Sequence, residues 1–179
     1  MNYIALLRGI NVGGKNKIKM ADLKQVLNQL QLENISTYIQ SGNVLFNSEE
    51  KDKAKLENKI SNSIKVNFDI DVPVIVKTQN EILEILKKNP FSEAEDLGAN
   101  KIYFVILKNT PTKENIAILQ SYSFENETFY FTPSCVYLRC GLGAGKAKCN
   151  NNFFESKLKV GATSRNYRTM CKLRDSAIN

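Results

Sequence analysis

The 179-residue sequence predicts an α+β fold of two ferredoxin-like (split βαβ) subdomains packed together, the second with an extra C-terminal helix. Three observations predict it. Strand-type and helix-type apolar patterns alternate along residues 1–89 in the order βαββαβ, with a linking helix behind them. A polar, acidic stretch, PFSEAEDLGAN at 90–100, breaks the pattern. Residues 90–179 then repeat the same logic as βαββα with a final helix, without sequence repetition. The boundaries 1–89 and 90–179 follow, the two parts making one compact unit.

Each element has a local reason. Residues 3–8 of MNYIALLRGI form an apolar strand, followed by a glycine-containing loop at 9–18. Met20, Leu23, Val26, Leu27 and Leu30 recur at helical spacing. ISTYIQSGNVLF, residues 35–46, is two β-rich runs around a Ser-Gly-Asn turn, a hairpin pattern. Ser48 is placed to cap a helix that turns Leu56, Ile60 and Ile64 inward. VPVIV at 72–76 is the next strand. Thr78 and Glu81 have capping-box spacing ahead of ILEILKK, which Pro90 ends. KIYFVILK is a strand, and Thr112 opens a short helix carrying Ile116 and Leu119. ETFYFTPSCVYLR reads as a hairpin with Pro133 in its turn. A glycine loop at 141–145, a short helix near 150–158 and a last helix at 164–175 complete the chain.

Composition narrows the chemistry. Hydrophobic residues make up 42% of the chain, ordinary for a globular protein. No apolar run approaches the roughly 20 residues that span a bilayer, and no membrane partner is expected. The first ten residues read as a strand rather than a secretion signal. Cys135, Cys140, Cys149 and Cys171 form no C-x-x-C pair, which fits a reducing cytoplasm. With no histidine, Ser-His and Cys-His triads and single-chain mixed Cys/His zinc sites are excluded, and no metal or cofactor is expected.

The net charge of +7 is unevenly spread. Residues 1–20 carry Arg8, Lys15, Lys17 and Lys19 and no acid; residues 136–174 carry nine basic groups and only Glu155. The remainder holds twelve basic groups against seventeen acidic ones. Brought together, the two ends would make one basic surface. The alternative is a lysine-rich surface that only keeps the chain soluble.

Three segments could carry chemistry. LLRGINVGGKNK almost spells a phosphate-binding P-loop from Gly9 through Gly14 and Lys15, but Asn16 stands where a magnesium-binding hydroxyl belongs. The helical period also starts near Met20 rather than at the lysine, so nucleoside triphosphate hydrolysis is rejected. Anion binding stays open, because glycines let backbone N–H groups converge beside Lys15 and Lys17. RCGLGAGKAK, residues 139–148, has the context of a phosphate loop but lacks its first glycine and its hydroxyl, and reads better as a connector. In GATSRNYRTMCKLR, Thr163 or Ser164 can cap a helix, which would put Arg165 and Arg168 in a first turn whose dipole prefers acids. An external anion would resolve that conflict; a salt bridge or solvation is the alternative.

LLRGINVGG, TYIQSGNV and ATSRNYRT together resemble an uncharacterised bacterial family, domain of unknown function 1697. The pattern falls on Arg8, Gly9, Asn11 and Gly13, on Gln40, Ser41, Gly42 and Asn43, and on Thr163, Arg165, Asn166 and Thr169. Tyr167 stands where the family usually has tryptophan, and Ala147 where a serine is expected. The resemblance spans nearly the whole chain and implies two ferredoxin-like halves; it brings no activity, cofactor or catalytic residue.

The expected function is binding of a phosphate-bearing ligand, a nucleotide or nucleic acid, at a basic surface formed by the first loop and the last helix. Arg8, Lys15, Arg165 and Arg168 would meet phosphates, and Asn11, Asn43 and Asn166 would orient sugar or base or hold the loops. Gly9, Gly13, Ser41 and Thr163 complete the ligand-binding set. Two alternatives stand beside it. One is an enzyme acting on a small anionic metabolite without histidine catalysis, its base an Asp, Glu, Lys, Tyr or Cys, with Cys140 or Cys149 the candidates for a low-pKa thiol. The other is an interaction module in which these polar residues are purely architectural. Oligomeric state is not legible.

Overall fold

The computed structural model describes residues 1–176. It is an α+β structure with two four-stranded antiparallel sheets, each with its own helices, consistent with two ferredoxin-like subdomains and a C-terminal helix. Met1–Ile82 form one compact unit, with Asp175 and Ser176 grouped with it, and Leu83–Arg174 form another.

In the first unit the chain runs β1 (Asn2–Leu7), α1 (Met20–Leu27), β2 (Glu33–Tyr38), β3 (Asn43–Asn47), α2 (Lys53–Phe68) and β4 (Val74–Thr78). The sheet order is β2-β3-β1-β4. Alternation sends Tyr3, Ala5 and Leu7 of β1 and Val44 and Phe46 of β3 to one face, where they pack with Leu23 and Leu27 of α1 and Leu56, Ile60 and Ile64 of α2. The predicted inward face of α2 is therefore found, but its predicted cap is not. Asp52 caps α2, accepting from the N–H groups of Ala54 (2.9 Å) and Lys55 (3.3 Å), whereas Ser48 accepts from Glu50 N–H in the preceding turn.

The capping box forms as expected. Thr78 N–H donates to Glu81 Oε2 (2.8 Å) and Glu81 N–H to Thr78 Oγ1 (3.2 Å), opening α3 (Gln79–Lys87). The acidic stretch beyond Pro90 is not all loop. It holds α4 (Ala94–Gly98), whose buried Asp96 hydrogen-bonds Arg139 and pairs with Lys101 at 3.3 Å.

The second unit continues with β5 (Ile102–Leu107), α5 (Lys113–Gln120), β6 (Glu127–Thr132), β7 (Cys135–Cys140), α6 (Asn151–Leu158), β8 (Ala162–Asn166) and α7 (Tyr167–Asp175). Its sheet order is β6-β7-β5-β8, the same topology as the first. Thr112 caps α5 as predicted, accepting from Asn115 N–H (3.3 Å). Strand β8 corrects the sequence reading, which placed a helix from 164 and left this half as βαββα. ATSRN has too little apolar alternation to announce a strand, yet it pairs with β5 from Ala162↔Leu107 to Asn166↔Tyr103. The helix begins at Tyr167 instead. Among the described residues no helix is long and apolar enough to cross a membrane.

The two units close one sheet edge in the same way. On β4, Val76 N–H donates to Glu57 Oε1 of α2 (2.9 Å). On β8, Ala162 N–H donates to Glu155 Oε1 of α6 (2.8 Å), and Ala162 C=O accepts from Asn151 Nδ2 (3.0 Å). Each glutamate satisfies an edge N–H that would otherwise be stranded against a helix. Glu57→Ala and Glu155→Ala are each expected to destabilise by about 1–3 kcal/mol, the cost of an unpaired buried donor, read as a lower urea midpoint at unchanged slope.

Candidate functional site

The polar loop after β1 is set by the core at both ends. Ile10 and Ile18 are buried, while Val12 through Lys17 are exposed. Arg8 is half-buried, and its N–H donates to the Pro73 carbonyl (3.0 Å). Between the isoleucines the chain makes a tight hairpin. Asn11 N–H donates to Asn16 O (3.1 Å), Val12 bridges Lys15, and Lys15 N–H donates to Val12 O (3.1 Å). The turn residues Gly13 and Gly14 have φ of 58° and 76°, the pair of positive values that a type I′ turn requires. Lys15 thus sits beside a turn, and no helix begins there, as the rejected P-loop would need.

Asn11 does most of the stitching. Its Nδ2 donates to Ile18 O and Gln40 O (both 2.9 Å), and its Oδ1 accepts from Ile18 N–H (2.9 Å). It therefore ties the loop to itself and to the β2–β3 turn. Asn16 Nδ2 closes the base of the loop on Gly9 O (3.0 Å). In the β2–β3 turn, fully buried Asn43 donates through Nδ2 to Tyr38 O (3.0 Å) and Ser41 Oγ (3.2 Å). Gly42 has φ +75°, and a Cβ there would lie 2.7 Å from both Leu7 Cβ and Ile10 Cδ1. Its smallness is demanded by the core.

These contacts leave the lysines outside. Lys15, Lys17 and Lys19 are exposed and form no ion pair among the described residues. Lys17 and Lys19 line an open cleft of about 400 Å³ with Ile18, Asp22, Gln40 and Phe68. The ligand set read from sequence lacks Lys17, Lys19, Gln40 and Phe68. The signal for the lysines was present: in Lys17-Ile18-Lys19 a buried centre forces both flanking side chains outward.

The second segment lies in the other unit and stands as a separate candidate. Arg165 is on β8, not in the first turn of a helix, so the expected clash between its charge and the helix dipole does not arise. It is buried, and its Nη1 donates to Thr163 Oγ1 and Ser164 O, both at 2.9 Å. Burial lowers its pKa to about 10, so the guanidinium stays charged at neutral pH. Neither Thr163 nor Ser164 caps α7. Asn166 does, its Oδ1 accepting from Thr169 N–H (2.8 Å). Arg168 is exposed in the first turn of α7, which carries no acid.

Comparison with known proteins places the chain in a family. Residues 1–137 match the family described as protein of unknown function (DUF1697). The chain belongs to that family. The match includes the first two motifs of this DUF1697 chain and stops short of Thr163–Thr169. A solved structure, that of the conserved bacterial protein SP0830 from Streptococcus pneumoniae, is 26% identical over 97% of each chain, with a TM-score of 0.74. No curated protein matches.

None of the four cysteines of this DUF1697 protein is in a disulfide, and Cys135, Cys140 and Cys149 are buried. Burial, reinforced by Glu127, pushes Cys140 up to about 11 and Cys149 up to about 12. Both shifts run opposite to that of an activated thiol, which argues against the activated-cysteine version of an enzyme. Half-buried Cys171 is expected to react with a disulfide reagent at pH 8 at least about tenfold faster than the buried three; rapid labelling of Cys140 or Cys149 would contradict this placement. Because both folded pKa values lie above the ordinary 9.0, their contribution to stability is complete below about pH 9. It is lost as pH rises toward 11, so the melting temperature should fall over that range. Gly42→Ala should cost about 2–5 kcal/mol from left-handed backbone strain and overpacking, measured by urea unfolding.

Proposed function

We propose that this protein binds a phosphate-bearing ligand, a nucleotide or nucleic acid, at the loop after β1. One observation carries the reading: Lys15, Lys17 and Lys19 project from a hydrogen-bonded loop with no ion-pair partner among the described residues and no acid within residues 1–20. Some lysines elsewhere are paired, as Lys53 is with Glu81 (2.7 Å) and Lys65 with Asp71 (3.0 Å). A held loop presents its cations with less conformational freedom left to lose on binding. The amides of Gly13 and Gly14 add donors with no acceptor among the described residues. The cleft floor of Ile18 and Phe68 offers an apolar surface for a base or sugar, with Gln40 at its edge.

In this reading the ligand meets lysines and backbone, while Asn11 and Asn43 hold the loops that present them. Arg168, exposed on α7, is a separate phosphate contact. The inward bonding of Asn11, Asn43 and Arg165 favours an architectural role for those three, the part of the interaction-module alternative that the geometry supports. A reducing, cytoplasmic setting accompanies the reading, since none of the four cysteines is in a disulfide.

The test is fluorescence anisotropy with a labelled single-stranded oligonucleotide, and calorimetry with a nucleoside triphosphate, each across a salt series. Oligonucleotide affinity should fall steeply with salt, by a log–log slope of about 0.7 per phosphate neutralised. Replacing Lys15, Lys17 and Lys19 together by alanine should weaken binding and flatten that slope by about 2. Undetectable binding to both probes, or binding indifferent to salt and to the triple variant, would sink the proposal.

A further inference from the structure

Each sheet has two edge strands, and three of the four edges are blunted. Strand β2 carries a register shift between Glu33 and Ser36, with Asn34 at φ 52°. Strands β4 and β8 are capped by Glu57 and Glu155. Strand β6 has none of these protections. Its six residues pair with β7 in unbroken register, from Glu127↔Cys140 to Thr132↔Cys135. No residue in it has a positive φ. Its outward backbone groups have no partner among the described residues. A groove of about 470 Å³ runs beside it, lined by Tyr122, Phe124, Phe129, Tyr130 and Phe131. Tyr130 is 56% exposed and Tyr122 38%. A regular aromatic edge of this kind is a template for another strand.

The strand's own order of residues identifies which one. Residues 128–132 read Thr-Phe-Tyr-Phe-Thr, the same in both directions. When two copies pair antiparallel across a two-fold axis normal to the sheet, directly opposite side chains share a face, so the register is centred on a residue. Centred on Tyr130, a palindrome places like opposite like. We propose that β6 pairs antiparallel with β6 of a second copy of this chain, joining two four-stranded sheets into one of eight strands. Tyr130 then meets Tyr130 of the second copy, each Phe129 meets a Phe131, and each Thr128 meets a Thr132. Aromatic and Thr–Thr pairs are among the favourable cross-strand combinations. The strand's single charged residue, Glu127, falls opposite Pro133, so no like charges meet. Glu127 is also occupied, accepting from Lys148 N–H (3.0 Å).

The experiment is sedimentation equilibrium of the full chain from low micromolar to near-millimolar concentration. The mass should rise from 20.2 kDa toward twice that value. Tyr130→Lys replaces an exposed side chain and should fold, as circular dichroism will verify. It puts two lysines face to face and removes an aromatic pair, weakening association by about tenfold or more. Tyr130→Glu should do the same, and an equal mixture of the two variants should recover the dimer. A wild-type chain that stays monomeric throughout overturns the proposal, even if it captures an extended peptide. So does a Tyr130→Lys variant that dimerises like wild type, which would locate the contact elsewhere. A mixture that remains monomeric overturns the register centred on Tyr130.

Discussion

Burial of Ile10 and Ile18 is the constraint on which the exposed loop depends. With both side chains in the core, the residues between them have no freedom to spread over the surface. They must turn within a short span, and the Gly13–Gly14 pair supplies the two positive φ angles that a tight turn needs. Asn11 then bonds across the base of the hairpin, satisfying the N–H and C=O of Ile18 that burial takes from water. Gly42 completes the arrangement by letting the β2–β3 turn press against Leu7 and Ile10. The polar tip is thus held by apolar anchors, and its lysines are outside because nothing inside can receive them.

A second theme is that one topology is built twice with the same devices and different residues. Both sheets place their first strand between the third and fourth, and both carry helices whose apolar faces cover one side. Both recruit a glutamate from the second major helix to satisfy an edge N–H. A carboxylate there does the work of a fifth strand at one position. The open edge at β6 shows what remains when no side chain is supplied.

The polar residues divide by direction. Asn11, Asn43, Asn166 and Arg165 are turned to backbone or hydroxyl partners, whereas Lys15, Lys17, Lys19 and Arg168 are turned to solvent. Arginine tolerates the interior because its fixed fork of donors can be matched by nearby oxygens. Lysine, a compact and strongly hydrated charge, stays in water unless an acid is at hand. The sequence motifs therefore mix two populations that residue type alone does not separate.

Features governed by local chemistry were legible in the sequence. The Thr78–Glu81 capping box, the Thr112 cap and the hairpin around Pro133 rest on contacts within a few residues, and the inward face of α2 on the spacing of its own apolar residues; all are found. The uneven charge and the absence of histidine are likewise properties of the chain itself. Tertiary structure decided the rest. Polar ATSRN becomes a strand only because β5 offers it a ladder and Glu155 closes its outer edge. Asn166 becomes the cap of α7 because that strand holds residues 162–166 extended. Arg165 is buried, and Lys17 and Lys19 line a cleft, for reasons that reside in distant neighbours. Local hydrogen bonds are written in consecutive residues; burial and strand pairing depend on partners many residues away, which only the folded chain brings into contact.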